Sequence, residues 1–219
     1  SFKFKKEMWL GNAFGSLMYD SFKRSLVETK PSLVTFVPVS RNRFKERGFN
    51  QSEELAKGIA KKIKIKALEM AYNAKSSHLG GNFSVADVIA VLYQDIAKYD
   101  VMNPDNENRD RIVLSKGHCC AVVYAALAEC GFFPEENLES FGKNGSIFSC
   151  HISSKVPGVE LSSGSLGHGA VVASGMALNG KLKDKNYHVY TIVGDGECNE
   201  GSIWEMVMFA GQQRLDNFT

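Results

Sequence analysis

The chain has 219 residues, of which 44% are hydrophobic and 23% charged, so it can bury one or two cores of an ordinary globular protein. No apolar run reaches the roughly 18 residues that a membrane-spanning helix needs, and the amino terminus lacks a secretory pattern. These features exclude an integral membrane protein and predict a cytoplasmic protein without a membrane partner. The chain begins at Ser1 without a methionine, so we expect a fragment of a longer protein.

The net charge of +2 is unevenly distributed along the chain. Residues 1–66 contain 15 Lys and Arg against 6 Asp and Glu, whereas the remainder contains 11 against 18. Such an asymmetry indicates two parts of different origin.

The first part is predicted to begin with a helix and a strand. Residues 10–27 have apolar side chains at helical spacing. Residues 33–39 are typical of a strand that either ends at Pro38 or runs along a sheet edge there. Residues 41–50 then form a basic loop. Its arginines suit a phosphate or a nucleic-acid backbone, and they equally suit a solvated surface.

Residues 36–56 (FVPVSRNRFKERGFNQSEELA) resemble the amino-terminal half of ComF-type phosphoribosyltransferases, and the resemblance covers about residues 3–63. That family binds phosphoribosyl diphosphate through an Asp-Asp pair followed by Thr and Gly, which has no counterpart in this sequence. Without it there is neither a carboxylate clamp nor a backbone cradle. We therefore expect no phosphoribosyl transfer. Under the main interpretation of the chain we also expect no nucleic-acid partner. A non-catalytic fusion fragment, or a phosphate- or DNA-binding protein, stays open as the alternative.

The junction between the two parts is predicted to lie inside one helix. Apolar residues keep helical spacing across it, namely Leu55, Ile59, Ile63, Ala67, Met70 and Ala74. The lysine-rich run at residues 61–66 is expected on the solvated face of that helix. We assign residues 1–63 to the ComF-like fragment and residues 64–219 to a second domain.

The second part alternates helices and strands, which predicts an α/β fold with a doubly wound, mostly parallel sheet behind an amino-terminal α/β fragment. The predicted elements are a helix from residue 84 to 96, a strand over 111–115, helices over 121–130 and 164–182, a strand over 187–193 and a helix from 202.

Local signals place the ends of three of these helices. Ser84 with Asp87 and Ser202 with Glu205 have the spacing of helix amino-terminal caps. Gly131 follows the helix over 121–130 and is expected to close it.

The five cysteines show no CxxC spacing and leave an odd one over, which predicts reduced thiols. Residues 118–120 (His-Cys-Cys) and 150–151 (Cys-His) contain side chains that can bind zinc. Adjacent residues cannot readily point at one tetrahedral ion, so we do not expect a zinc site.

Residues 189–201 (VYTIVGDGECNEG) place an acidic glycine turn directly behind an apolar run. The run is typical of a buried parallel strand, and ligands bind at the carboxyl ends of such strands. Gly194 and Gly196 let a phosphate approach the backbone, and Asp195 is a hard oxygen donor suited to Mg²⁺. For the tripeptide alone, a tight turn that binds nothing is the alternative.

Four more segments place polar groups in predicted loops: residues 75–81 (KSSHLGG), 115–118 (SKGH), His151 with 157–160 (PGVE), and 161–169 (LSSGSLGHG). In this order, and together with the acidic glycine turn, they resemble the amino-terminal half of transketolases over about residues 66–219. The resemblance implies a thiamine diphosphate-binding fold, truncated at its carboxyl end. It also implies thiamine diphosphate and Mg²⁺ or Ca²⁺ as cofactors.

The resemblance assigns cofactor contacts to five residues. Asp195 would coordinate the divalent ion that bridges the two phosphates, with Gly194 and Gly196 close to the diphosphate. The backbone around Gly164 and Leu166 would flank the aminopyrimidine.

The resemblance also implies roles for three histidines and one glutamate. His78, His118 and His151 would line the channel to the reacting carbon, bind the sugar phosphate and move protons, which suits imidazole because its pKa lies near neutrality. A single loop histidine is otherwise usually structural. Glu200 matches an acidic position near the dimer interface of the family.

The implied activity is transfer of a two-carbon ketol unit between sugar phosphates. In this family the carboxylate that activates the pyrimidine comes from a second module, later in the chain or in a separate subunit. We therefore expect a transketolase carboxyl-terminal subunit or module as partner, a sugar phosphate substrate, an oligomer, and a chain that is inactive alone.

A further metal ligand of the family is missing. It is an Asn beyond the acidic glycine turn, and Asn217 falls too early to match it. Because Mg²⁺ prefers near-octahedral oxygen coordination, we expect this 219-residue chain to bind thiamine diphosphate weakly or not at all.

Overall fold

The computed structural model describes residues 51–219, with side chains from residue 57 onward. Most of the ComF-like segment, including the basic loop at residues 41–50, lies outside the described residues, so the predictions made there stay predictions. The main elements are α1 (Gln51–Asn73), α2 (Leu79–Val91), β1 (Arg111–Leu114), α3 (Cys120–Glu129), α4 (His168–Leu182), β2 (Val189–Ile192) and α5 (Gly201–Gln213). A π-helical turn (Leu92–Ile96) extends α2, and short 3-10 helices lie at Gly117–Cys119, Glu135–Ser140 and Gly196–Asn199.

The sheet is parallel, as predicted. Strands β1 and β2 pair with Arg111 opposite Val189 and Leu114 opposite Ile192. Phe218 forms a further parallel bridge to Val189. Residues 217–219 therefore pair with the edge of β2.

Residues of β1 alternate between two hydrophobic cores. Ile112 and Leu114 pack with residues of α1, α2 and α3, whereas Val113 packs with Ala173 and Ala177 of α4. Since successive side chains of a strand point to opposite faces, helices cover both faces of the sheet. This arrangement confirms the predicted α/β class.

Helix α3 lies at the centre of the larger core. All of its residues from Cys120 to Ala128 are buried. Helices α1 and α2 pack against α3, and Ile112 and Leu114 of β1 belong to the same hydrophobic core. Gly131 follows it with φ +88°, a left-handed conformation that glycine adopts without cost. The predicted end of this helix is confirmed.

Helix α1 crosses residues 63 and 64 without a break, as predicted. Its buried stripe includes Ile63, Ala67 and Met70, while Lys64 pairs with an aspartate of α2 at the surface. Although α1 has 23 residues, neither it nor any other helix within residues 51–219 is long and apolar enough to cross a membrane.

The predicted cap at Ser84 is wrong. Helix α2 already begins at Leu79, so Ser84 lies inside it and its hydroxyl donates to the carbonyl of Gly81 at 2.8 Å. The side-chain amide of Asn82, a buried residue, donates to the carbonyl of His78 at 2.8 Å, and its oxygen accepts a backbone N–H of α3 at 3.0 Å. The first bond is local, and the second holds the first turn of α2 against α3, so the helix includes residues before Ser84.

The predicted starts of the last two helices also need correction. Helix α4 begins at His168 and not at residue 164, because Gly167 adopts φ +85° and breaks the helical path. Helix α5 begins at Gly201 with Glu200 as its N-cap, and the Glu200 side chain makes no capping hydrogen bond. Ser202 lies inside the first turn, so it does not occupy the predicted cap position.

Candidate active site

The loops that follow β1 and β2 lie side by side at the carboxyl edge of the sheet. The backbone N–H of Ser115 donates to the carbonyl of Ile192 at 2.9 Å. A Cβ added at Gly194 would lie 3.6 Å from Cδ of Lys116. The SKGH motif and the acidic glycine turn therefore share the edge where parallel α/β sheets bind ligands.

Asp195 is exposed at the tip of the second loop. It is the N-cap of the 3-10 helix Gly196–Asn199, yet its carboxylate makes no capping hydrogen bond. A Cβ added at Gly196 would meet no atom within 4 Å, so open space lies beside the carboxylate.

The donor set around Asp195 limits which metal complex fits. Within residues 57–219, no group of three or more His, Cys, Asp or Glu side chains is arranged to hold an ion. Mg²⁺ in phosphate-binding sites commonly takes one or two carboxylates and completes its shell with phosphate oxygens and water. The exposed carboxylate therefore fits an ion that is already bound to a diphosphate. It does not fit an ion that is coordinated by protein side chains alone.

The three predicted histidines come together from three loops. The ring centroid of His78 lies 5.2 Å from that of His118 and 6.0 Å from that of His151. His78 precedes α2, His118 follows β1, and His151 lies between α3 and α4. The side chains of His78 and His151 are exposed and His118 is half-buried, so the cluster is open to a ligand.

The surroundings of His118 favour its neutral form. Burial lowers the pKa of His118, and the positive charges of His78, His151 and Lys116 lower it further, while Glu197 acts in the opposite sense. A neutral imidazole can accept a proton at one nitrogen and donate from the other.

Lys116 is a candidate that the sequence reasoning missed. Only 9% of its surface is exposed, and its Nζ lies 3.5 Å from Oγ of Ser84. Its stem packs beside Gly194, and it is two residues from His118. A largely buried ammonium thus lies between the histidine cluster and the acidic glycine turn. Its position within the SKGH motif was the available signal.

The Gly164–Leu166 loop packs beside His151 of the histidine cluster and beside the end of β1. A Cβ at Gly164 would lie 3.3 Å from Cδ2 of His151. Oγ of Ser163 donates to the carbonyl of Leu114 at the end of β1, at 2.6 Å. The structure therefore brings Gly164 to the histidine side of the site, and Leu166, two residues further on, is half-buried.

Glu197 is the second residue that the sequence reasoning missed. It is 1% exposed, directly after Gly196. Its Oε1 accepts hydrogen bonds from Oγ of Ser115 at 2.5 Å and from the N–H of Gly167 at 2.7 Å, and its Oε2 accepts from the N–H of Gly194 at 2.9 Å. In the sequence, Glu197 is marked only by its position two residues after Asp195, in a turn whose backbone offers many N–H donors.

Glu200 lies apart from the histidines, at the start of α5. A Cβ at Gly167 would lie 3.2 Å from Cβ of Glu200. Beyond it, Trp204, Val207 and Met208 are exposed, at helical spacing that places them on one side of α5. We call these three side chains the α5 face.

Residues 55–219 match the family described as transketolase, thiamine diphosphate binding domain. The chain is 41% identical over 158 residues to one of the subunits of apulose-4-phosphate transketolase from Phocaeicola vulgatus, covering 72% of this chain and 56% of that protein. It is 45% identical over 141 residues to a 6-deoxy-6-sulfo-D-fructose transketolase subunit of a Clostridium species, covering 64% of this chain and 51% of that protein. The solved structure of transketolase from Leishmania mexicana superposes with a TM-score of 0.70 at 31% identity, covering 74% of this chain and 26% of that one.

The chain thus spans about half the length of the two subunits and about a quarter of the solved transketolase. The family match takes in every loop described above, from His78 to Glu200. It confirms the transketolase resemblance and leaves the ComF-like resemblance a prediction. Through residues 55–219, which form a thiamine diphosphate-binding domain, the chain belongs to the transketolase family.

Proposed function

We propose that this chain is the diphosphate-holding half of an enzyme that transfers a two-carbon ketol unit between sugar phosphates. The observation that carries the proposal is the meeting of His78, His118 and His151 in one open cluster. Lys116, two residues before His118, packs beside the turn that exposes Asp195. A metal-diphosphate and a sugar hydroxyl can therefore be held within one cleft.

Asp195 would hold the divalent ion, Mg²⁺ or Ca²⁺, since both take oxygen ligands. The open space at Gly196 lets the diphosphate approach the backbone, and the turn lies against Lys116 at Gly194. The backbone of Gly164 and Leu166 would contact the aminopyrimidine. Thiamine diphosphate, when bound, supplies the nucleophilic carbon and the electron sink that cleavage of a carbon-carbon bond requires.

The histidines would bind the sugar phosphate and move its protons. His118, held neutral by burial and by neighbouring cations, can take a proton from a substrate hydroxyl and return it. Exposed His78 and His151 can donate hydrogen bonds to other hydroxyls of the same substrate. The ammonium of Lys116 adds positive charge where anionic ligands would enter.

The partner would be a transketolase carboxyl-terminal subunit or module. Two relatives are named as single subunits of their transketolases, which supports an assembly of more than one kind of chain. Aromatic and aliphatic side chains exposed together on one helix face are typical of contact surfaces, so the α5 face and Glu200 are the proposed contact in an oligomer. The cysteines of the described residues are free thiols, which supports a cytoplasmic location.

A reconstitution assay tests the proposed function. The chain would be mixed with the carboxyl-terminal module of a single-chain transketolase, thiamine diphosphate, Mg²⁺, a ketose phosphate and an aldose phosphate, and the exchanged sugars detected by mass. We expect turnover that falls about 100-fold or more in His118→Asn. Exposed His168→Asn is the matched control, with unchanged turnover. Equal rates in both variants, or no exchange with any sugar pair despite bound cofactor, would contradict the proposal.

A further inference from the structure

Three segments of the candidate site are hydrogen-bonded to one buried carboxylate. Oε2 of Glu197 accepts from Gly194, the residue before Asp195, whereas Oε1 accepts from Gly167, the residue before α4. Oε1 also accepts from Oγ of Ser115, at the end of β1. Three of the loops that the proposed function uses, namely the Asp195 turn, the Gly164–Leu166 loop and the loop that carries His118, are therefore adjacent to a Glu197 contact.

The energetics argue against an incidental core residue. All three hydrogen-bond donors to Glu197 are neutral groups, and burying this carboxylate carries a cost in free energy. What offsets it is full use of both oxygens in charge-assisted hydrogen bonds. Oγ of Ser115 also accepts the N–H of Ala170 at 3.0 Å, which extends the network into the first turn of α4.

The contacts join two parts of the site that are distant in the sequence. Gly167 has φ +85°, and a side chain there would overlap Oγ of Ser202, so this loop approaches α5 closely. The acidic glycine turn approaches the same carboxylate from the end of β2. Hydrogen bonds to one side chain, Glu197, therefore span from the Asp195 turn to the loop that ends at Gly167.

We propose that Glu197 is a positioning residue that holds the Asp195 turn and the Gly164–Gly167 loop at the separation that the cofactor requires. This inference rests on the proposed function for the identity of the cofactor. Glu197 itself is too buried to touch the ligand. It acts through the backbone of Gly194 and Gly167.

The test uses Glu197→Gln in the 219-residue chain. Glutamine keeps the size and one acceptor oxygen, but it replaces the other oxygen with an NH₂ donor, so one of the two glycine N–H groups loses its acceptor. Alanine would leave two N–H groups and a hydroxyl buried without acceptors and risks unfolding. Exposed Glu136→Gln makes the same chemical change outside the site and serves as the matched control.

Two measurements are made on each variant below its melting temperature. Amide hydrogen exchange by NMR should show Gly194 or Gly167 exchanging about tenfold or more faster in Glu197→Gln, with the control unchanged. NMR titration with thiamine diphosphate and Mg²⁺ into the millimolar range should show affinity about tenfold or more weaker. Unchanged exchange at both glycines, or unchanged affinity despite faster exchange, would overturn the inference.

The two proposals fail in different ways. If the unaltered chain shows no cofactor binding at millimolar concentration, the missing Asn ligand accounts for it and the reconstitution assay decides the proposed function. The exchange of Gly194 and Gly167 then decides whether Glu197 fixes the loops. If the unaltered chain binds and Glu197→Gln binds equally well, the positioning role fails while the proposed function stands.

Discussion

The imidazole rings of His78 and His118 lie with their centroids 5.2 Å apart at the mouth of the cleft. Two protonated rings at this separation would repel each other, so the charge of one controls the proton affinity of the other. Burial is the larger cause of the lowered pKa of His118, and His78 is the next.

The first prediction concerns the titration of His118. Its NMR midpoint should lie below the usual value of about 6.5, and His78→Asn should raise it because one repelling charge is removed. His151, Lys116 and Glu197 also act on this ring and remain in place. His168→Asn is the control and should leave the midpoint unchanged. A midpoint at or above the usual value would contradict this prediction.

The same lowered pKa predicts how folding stability depends on pH. Because the folded pKa of His118 lies below its unfolded value, the unfolded state binds more protons between the two values. The contribution of His118 is therefore complete above about pH 6.5 and is lost as the pH falls through the folded pKa. Urea unfolding of His118→Asn should show a weaker loss of stability between neutral and acidic pH than the unaltered chain. Parallel curves would argue against it.

Two glycine-to-alanine variants should have opposite effects on stability. Gly167 has φ +85° and faces Ser202, so Gly167→Ala should lower the free energy of unfolding by about 1–3 kcal/mol. Gly175 lies in the exposed interior of α4 with no atom near the added Cβ, so Gly175→Ala should raise it by about 0.5–1 kcal/mol. Urea titration of both variants measures the difference. Similar values would show that Gly167 is not strained.

The ion pair between Arg109 and Glu160 anchors the PGVE loop to the start of β1. Both nitrogens of the guanidinium fork contact the carboxylate, with Nη2 and Oε2 at 2.9 Å, and the Glu160 side chain is 9% exposed. Glu160→Ala should lower the free energy of unfolding by about 3–5 kcal/mol because it leaves a largely buried guanidinium unpaired. Adding Arg109→Met should recover part of that loss. Additive losses in the double variant would mean that the two residues act independently.

The α5 face should matter for association and not for folding. Trp204 and Val207 are exposed, so replacing both with serine should change the free energy of unfolding by less than about 0.5 kcal/mol per substitution. The same variant should bind the carboxyl-terminal module at least about tenfold more weakly in sedimentation experiments. Exposed Tyr72→Ser on α1 is the control. Equal weakening by the control would place the contact elsewhere.

Part of this structure could be predicted because its signals are local. Apolar runs bounded by polar residues located β1 and β2, and Gly131 located the end of α3, since only the adjacent chain decides these features. The histidine cluster was predicted through the order of the motifs. No single histidine marks its own role, since a lone histidine in a loop is usually structural.

The first turn of α2 and the burial of Glu197 and Lys116 could not be predicted, because they depend on contacts between segments that are distant in the sequence. The first turn of α2 is tied to α3 by the hydrogen bond from the N–H of Val122 to Asn82, which joins segments 40 residues apart and which no capping rule contains. Glu197 looks like a surface residue in the sequence because carboxylates are rarely buried, and only the folded chain brings Ser115 and Gly167 to it. The burial of Lys116 likewise becomes visible only when the two loops meet.

The most direct test of the central claim uses Mn²⁺, whose unpaired electrons broaden the NMR signals of nearby nuclei. Titrating the 219-residue chain with Mn²⁺ and thiamine diphosphate should broaden first the amides of Gly194 and Gly196 and the ring signals of His118. Asp195→Asn should abolish this broadening, and exposed Asp184→Asn, the matched control, should preserve it. Broadening that persists in Asp195→Asn, or that centres on another acidic surface, would contradict the claim that Asp195 holds the metal-diphosphate.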